Sequence, residues 1–153
     1  MAQAHHYTTS LEWNGDTGLG YRDYGRTHTI RIAGKEDLVI AADPTFLGDP
    51  TKHNPEDLLM AALSSCHLLT YLALCARARI IVTSYRDNAT GTMQETPDGG
   101  GHFTEVVLHP EVVVAEASML PKARELHTAA QKYCFIANSV NFTVRHEAVV
   151  RAA

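Results

Sequence analysis

The pattern of hydrophobic and polar positions divides the chain into two β-rich segments separated by one long helix. Short runs of β-branched and aromatic residues, some alternating with polar ones, predict strands. Residues 55–77 are instead rich in leucine and alanine, which favour helix. The predicted strands cover residues 7–13, 27–32, 37–41, 80–85, 88–94, 103–108, 111–114 and 144–150.

The long helix has a distinct start in the sequence. Asn54 can cap it, Pro55 suits the first helical position, and the carboxylates of Glu56 and Asp57 face the positive helix end. Arg77 suits the negative end, so we expect the helix to stop near this residue. Because the helix is apolar on nearly all sides, we also expect it to be central in the fold.

The order of the elements indicates the fold class. A second helix is predicted over residues 121–132 and a further short helix over residues 134–140. Runs of strands with segregated helices favour the α+β class over alternating βα units. The length of 153 residues suits one domain covering residues 1–153, and no repeat or composition shift marks a linker.

Composition and charge exclude several classes of protein. Hydrophobic residues make up 45% of the chain, which is enough to fill a core and excludes global disorder. The net charge of −4 argues against nucleic acid as a partner, because phosphate binding needs clustered lysine and arginine. There is no signal-peptide pattern, and polar residues 64–67 interrupt the longest apolar stretch. We therefore expect a cytoplasmic protein without a membrane partner.

The polar run in the middle of the helix contains a candidate nucleophile, Cys66. Only a thiolate is nucleophilic, and a cysteine in mid-helix gains little from the helix dipole. A reactive Cys66 would therefore need a cation from another segment, and the glycine-rich segment 18–26 offers Arg22 and Arg26. His67 points about 100° away around the helix and is a poor partner for Cys66. For this run alone, packing by small side chains is the alternative interpretation.

The other two cysteines differ in their settings. Cys134 lies at the predicted break after the second helix, where a thiol can be reached. Two separated cysteines in a reducing compartment can act as attacking and resolving thiols that cycle through a disulfide, although each alone fits a packing role. Cys75 lies about half a helical turn around from Cys66 and is predicted to be a packing residue. The odd count of three cysteines argues against a disulfide scaffold.

Residues 54–67, NPEDLLMAALSSCH, resemble the N-P-E-x-L-x-x-A-x-x-x-x-C motif of the OsmC/Ohr family, the osmotically inducible protein C and organic hydroperoxide resistance proteins. Cys134 lies where this family has its second cysteine, and the loop before the helix and the Cys66-His67 pair are similar to an OsmC-like subgroup. The resemblance implies antiparallel β-sheets around a long central helix, in an intertwined homodimer.

The same resemblance implies a thiol-dependent peroxidase that acts in antioxidant and stress responses. It would reduce organic hydroperoxides and, less efficiently, hydrogen peroxide. Cys66 would become a sulfenic acid, and Cys134 would condense with it to form a redox-active disulfide. An external dithiol, in relatives a lipoylated protein, would reduce that disulfide, and no cofactor is expected.

The family's site also uses a glutamate and an arginine. Glu56 matches the glutamate, and either Arg22 or Arg26 is the candidate arginine, with Arg22 slightly favoured because its turn is more irregular. Arg31 lies within a regular predicted strand and is the weakest candidate. Many relatives have proline directly after the second cysteine, whereas this chain has Phe135.

Helix geometry constrains how this site is assembled. A separation of ten residues places Glu56 and Cys66 about 15 Å apart along a straight helix. Either the helix bends, or each site combines Cys66 of one subunit with Glu56 of another. The apolar helix favours the second arrangement, because a two-fold partner would cover its remaining face. The arginine would then stabilise the thiolate and be held by Glu56 through a bidentate pair.

Other functions fit the sequence less well. The nine histidines are scattered without zinc-finger spacing, so we expect no metal site. A Cys-His-Asp hydrolase would need a distant histidine as its base, because His67 points away from Cys66. The main alternative function is a non-catalytic OsmC-like module that binds a ligand or senses electrophiles.

Overall fold

A computed structural model of the protein describes residues 1–153. The chain divides into two compact units, Met1–Leu59 and Met60–Ala153, and the single domain inferred from length stays a prediction. The first unit holds a three-stranded antiparallel sheet in the order β1 (Ser10–Glu12), β2 (His28–Arg31) and β3 (Leu38–Ile40). These strands lie within the three predicted ranges and are shorter than predicted.

The long helix, α1, covers Pro55–Arg77, as predicted. Its first turn is closed by a reciprocal capping pair. The backbone N–H of Asp57 donates to Asn54 Oδ1 at 2.8 Å, and the N–H of Asn54 donates to Asp57 Oδ2 at 3.3 Å. The cap satisfies donors that a helix start leaves unpaired, which explains why the sequence locates this boundary well.

One face of α1 is buried within the single chain. The buried residues Leu63, His67, Tyr71 and Cys75 follow each other at four-residue spacing and form one stripe. The other faces are partly or fully exposed, and Leu69 is 64% exposed. Burial on nearly all sides is therefore not seen in one chain, and the predicted partner that would cover the rest stays a prediction. By length and composition alone α1 could cross a membrane, a test that core helices of soluble proteins also pass.

The second unit contains two three-stranded sheets and a second helix. The elements are β4 (Val82–Asp87), β5 (Thr90–Glu95), β6 (Gly101–Leu108), β7 (Pro110–Val114), α2 (Leu120–Tyr133), β8 (Thr143–His146) and β9 (Val149–Ala152). One sheet has the order β4-β7-β9 and the other β5-β6-β8, and in each an antiparallel pair is joined by a parallel strand. The α+β class is confirmed, and two parallel pairings accompany the expected antiparallel ones.

The strands at the C-terminal end of the chain differ from those predicted from the sequence. The single strand predicted over residues 144–150 is wrong, because β8 and β9 belong to different sheets. Val144 pairs with Val106 of β6, whereas Val150 pairs with Val112 of β7. The chain changes sheet between these strands, as it also does at His109 between β6 and β7. A continuous apolar run does not reveal such a change, because both halves have the same pattern.

A hydrophobic core fixes α2 against α1 in the second unit. The Tyr71 hydroxyl of α1 donates to the backbone carbonyl of Ala123 in α2 at 3.1 Å. The core residues are Tyr71, Cys75, Val112, Val114, Ala123, Leu126, Ala130 and Val150. This packing determines where the end of α2, and therefore Cys134, meets α1.

Candidate functional site

The structure brings Cys66 and Cys134 together. Cys66 lies half-buried on α1, and Cys134 directly follows the last residue of α2 with only 1% of its surface exposed. Both thiols are free. Burial raises the pKa of the Cys134 thiol to about 11, and a hydrogen bond with the Cys66 side chain adds to the effect. At neutral pH, Cys134 therefore keeps its proton beside Cys66.

The turn after α2 holds Cys134 in place. The backbone N–H of Ala137 donates to Cys134 Sγ at 3.4 Å, and the Asn138 side chain donates to the carbonyls of Lys132 and Cys134, each at 2.9 Å. Phe135, where many relatives have proline, points outward and is 80% exposed. These hydrogen bonds fix the turn without the ring of a proline.

Cys75 lies in the hydrophobic core, as its spacing predicts. It is 1% exposed, and burial raises the pKa of its thiol. Cys75 packs among the side chains of the hydrophobic core, and this core cluster contains no second thiol, so Cys75 is a packing residue.

Next to Cys134 lies a cluster of three histidines that no motif in the sequence predicts. His67 of α1, His127 of α2 and His146 of β8 form a triangle with ring centroids 5.4, 5.6 and 5.8 Å apart. His67 Nε2 and His127 Nδ1 are hydrogen-bonded at 3.1 Å, while the buried His127 Nε2 has no partner. No group of three His, Cys, Asp or Glu side chains is arranged to hold a metal ion.

The surroundings keep these imidazoles neutral. Burial lowers the pKa of His67 to about 4 and that of His127 to about 3, and repulsion between the rings adds to both shifts. Burial also lowers the pKa of His146. The signal for His67 in the sequence was its place in the buried stripe four residues from Leu63 and Tyr71. No comparable pattern marked the partners on α2 and β8.

The predicted arginines and Glu56 lie in the first unit. Arg22 is exposed and makes no hydrogen bond or ion pair, and Glu56 is half-buried without an ion pair. The guanidinium of Arg26 donates to the carbonyls of Tyr21 and Tyr24, at 2.5 and 2.9 Å. The Cζ atom of the guanidinium lies 5.0 Å from the centroid of the Tyr21 ring and 3.9 Å from that of the Tyr24 ring. Of these two arginines, only Arg26 is held by hydrogen bonds.

Arg26 also lines a cavity of about 570 Å³ within the first unit. The walls are largely aromatic and include Trp13, Tyr21, Tyr24 and Phe46. This size falls in the range of small-molecule pockets, and an apolar wall with one cation suits an apolar molecule that carries a polar group. The spacing of these aromatic residues along the chain does not predict that they share a cavity.

Comparisons with known proteins agree with this architecture. An OsmC-like protein of unknown function from Vibrio cholerae is 33% identical and superposes with a TM-score of 0.84, over 95% of this chain and 100% of its own. An organic hydroperoxide resistance protein from Elizabethkingia anophelis is 18% identical, with a TM-score of 0.69 over 99% of this chain and 100% of its own.

An organic hydroperoxide resistance protein from Legionella pneumophila is 20% identical, with a TM-score of 0.68 over 96% of this chain and 98% of its own. At these lower identities the likeness shows the fold alone. No curated protein sequence matches the chain with significance. The family model described as OsmC-like protein matches residues 48–148, which include Cys66, Cys134 and the histidine cluster. The chain therefore belongs to the OsmC-like protein family.

Proposed function

We propose that this protein is a thiol-dependent peroxidase that reduces organic hydroperoxides through Cys66 and Cys134. The observation that carries the proposal is the pairing of a half-buried thiol with a buried, protonated one at the same place. Only the first is open to an incoming peroxide, and only the second is protected from it. This division suits an attacking and a resolving cysteine.

The chemistry balances with these two thiols and an external dithiol. The Cys66 thiolate attacks the terminal oxygen of the hydroperoxide, the O–O bond breaks, and an alcohol leaves after taking up a proton. Cys66 is then a sulfenic acid. The Cys134 sulfur attacks the Cys66 sulfur, so that a disulfide forms and water leaves. A dithiol reductant, such as a lipoylated protein, exchanges with this disulfide and restores both thiols.

For the site arginine, the structure favours Arg26 over Arg22. Arg26 is held by two carbonyls and two aromatic rings at the wall of an apolar cavity, whereas Arg22 has no partner. Completion of the Cys66 site by Glu56 and an arginine from a second copy remains a prediction from helix spacing. Sedimentation at micromolar concentration tests it, and a species of 16.8 kDa, the mass of one chain, would contradict it.

Peroxidase assays with cumene or tert-butyl hydroperoxide and dihydrolipoamide test the activity. Cys66→Ser should lower turnover by about 100-fold or more, because serine is not a comparable nucleophile at neutral pH. Cys75→Ala is the matched control and should retain turnover within about threefold, because Cys75 is buried in the core. Equal turnover of Cys66→Ser and wild type would refute the mechanism.

Mass spectrometry after one equivalent of hydroperoxide identifies the intermediate. We expect a link between Cys66 and Cys134 with Cys75 free, and a dimedone adduct on Cys66 in the Cys134→Ser variant. Modification of Cys66 by electrophiles without turnover of any hydroperoxide would instead support a sensing module.

A further inference from the structure

His146 lies between a narrow crevice and an open pocket. Together with Cys134, His67 and Gln131 it lines the crevice, which is too narrow to hold a water molecule. Together with Arg124 and Glu147 it also lines a pocket of about 310 Å³ that opens to the surface. The half-buried imidazole of His146 thus connects the surroundings of the buried thiol with solvent.

Hydrogen bonds fix which nitrogen of His146 carries the proton. The Gln131 side-chain nitrogen donates to the Val144 carbonyl at 2.7 Å, so its Oε1 is the remaining acceptor. His146 Nδ1 lies 2.6 Å from this oxygen and must therefore donate. In the neutral ring the proton is then on Nδ1, and Nε2 offers a lone pair.

Closing the disulfide requires a proton acceptor at Cys134. The thiol is buried and protonated, with a pKa of about 11, and no water fits into the crevice beside it. Of the polar side chains on the crevice wall, Gln131 uses both ends of its amide and Arg145 has no lone pair. His67 Nε2 is paired with His127, whereas His146 Nε2 makes no hydrogen bond. Of the two histidines on this wall, only His146 also lines the open pocket, so its Nε2 is the acceptor with a route to solvent.

We propose that His146, oriented by Gln131, carries the proton between the buried Cys134 thiol and solvent when the Cys66–Cys134 disulfide closes and opens. The inference rests on the proposed peroxidase function for the closing step, and it applies equally to any thiol–disulfide exchange at this pair. Gln131 acts through His146 and is a positioning residue.

The proton balance of the closing step is complete. The S–H bond of Cys134 and the S–O bond of the Cys66 sulfenic acid break, and the S–S bond forms. His146 Nε2 takes the proton from Cys134 and passes it to solvent through the open pocket. The hydroxide that leaves Cys66 takes up a proton from solvent and becomes water. When a dithiol reduces the disulfide, the same route returns a proton to Cys134.

The groups around His146 suit transient protonation. No carboxylate lies within salt-bridge distance, and so no ion pair would trap the charge on the ring. Burial lowers the pKa of His146 and so disfavours a lasting positive charge on its ring. The titratable and charged residues that face it are His67 from α1, His127 and Arg124 from α2, Cys134 after α2, and its neighbours Arg145 and Glu147.

Stopped-flow measurement of the two half-steps tests the proposal. In His146→Gln, formation of the Cys66 sulfenic acid should keep its rate within about twofold, while disulfide closure slows by about tenfold or more, as for loss of a general base. Closure in the variant should rise about tenfold per pH unit, since without the imidazole it follows the thiolate fraction of Cys134, whereas wild type is flatter. His102→Gln, an exposed histidine on β6, is the matched control.

A second variant and a second oxidant keep the test decisive. Gln131→Leu leaves His146 in place without its orienting partner and should slow closure about threefold or more. Closure from a Cys66–glutathione mixed disulfide needs no peroxide, so it tests His146 even if the peroxidase proposal fails. Wild-type closure rates and pH profiles in both variants would overturn the inference, as would equal slowing of both half-steps in His146→Gln.

Discussion

Acidification should destabilise the protein through two buried histidines. His67 and His127 are 2% and 1% exposed, and their pKa values fall from 6.5 to about 4 and about 3 in the folded state. At pH values between these folded-state pKa values and 6.5, the two histidines are protonated in the unfolded chain and neutral in the folded one. The free energy of unfolding is therefore unaffected by the pair above the unfolded pKa and falls as the pH drops below it.

The size of the effect follows from these values. At pH 5 the unfolded histidines are almost fully protonated and the folded ones almost fully neutral. Linkage then gives a loss of about 2 kcal/mol for each histidine between pH 7 and pH 5, or about 4 kcal/mol for the pair. Such a loss is a large fraction of the free energy of unfolding of a typical domain, which is about 5–15 kcal/mol.

Urea unfolding at pH 7 and pH 5, at one fixed protein concentration, measures the loss. Other titratable groups also contribute to the loss of stability between pH 7 and pH 5 in the wild type. The contribution of His127 is therefore obtained by comparing this loss in wild type and in His127→Phe. Phenylalanine keeps the stacking on Tyr71, whose ring centroid lies 3.9 Å from that of His127, and removes the titrating nitrogen. The fall in unfolding free energy between the two pH values should shrink by about 2 kcal/mol.

The control is His102→Gln, which replaces an exposed histidine and should change the fall by less than about 0.5 kcal/mol. A fall in His127→Phe equal to that of wild type would refute the assignment of the acid sensitivity to the buried pair.

Two further predictions concern the first unit, both measurable by urea unfolding. In Gly48→Ala the new Cβ would collide with the backbone carbonyl of Ala42, so we expect the free energy of unfolding to fall by about 2 kcal/mol or more. Gly25→Ala is the control, because its new Cβ would have nothing within 4 Å, and it should change the free energy of unfolding by less than about 0.5 kcal/mol. Equal effects would contradict the close contact. Asn54→Ala removes the oxygen that caps the Asp57 N–H and should cost about 1 kcal/mol, whereas Asn54→Ser keeps an acceptor and should cost clearly less. Equal losses in both Asn54 variants would mean that the capping oxygen is not the source.

Elements with local causes were predicted well. The start of α1 depends on Asn54 and Asp57, which are three residues apart and make their hydrogen bonds to each other. The turn between β5 and β6 likewise follows from adjacent proline, aspartate and glycine residues. Such features need no information from distant parts of the chain, so propensity and capping rules find them.

Elements with distant causes were predicted less well. Residues 144–150 are predicted as one strand, yet the run divides between β8 and β9, which pair with β6 and β7 in different sheets. Both of these pairings are parallel, and the strand pattern does not reveal them. Strand partners are chosen by which apolar surfaces can be buried together, and an alternating pattern is the same for every partner.

The positions of Cys66 and Cys134 in the chain and the start and end of α1 follow from the sequence alone, because a motif and a helix boundary are local properties. The burial of Cys134 beside Cys66, and the meeting of His67, His127 and His146 next to it, depend on tertiary packing. The three histidines come from three elements brought together by the packing of α2 on α1 and by the pairing of β8 with β6. Burial then sets their charge, and burial is a property of the assembled core that no spacing along the chain records.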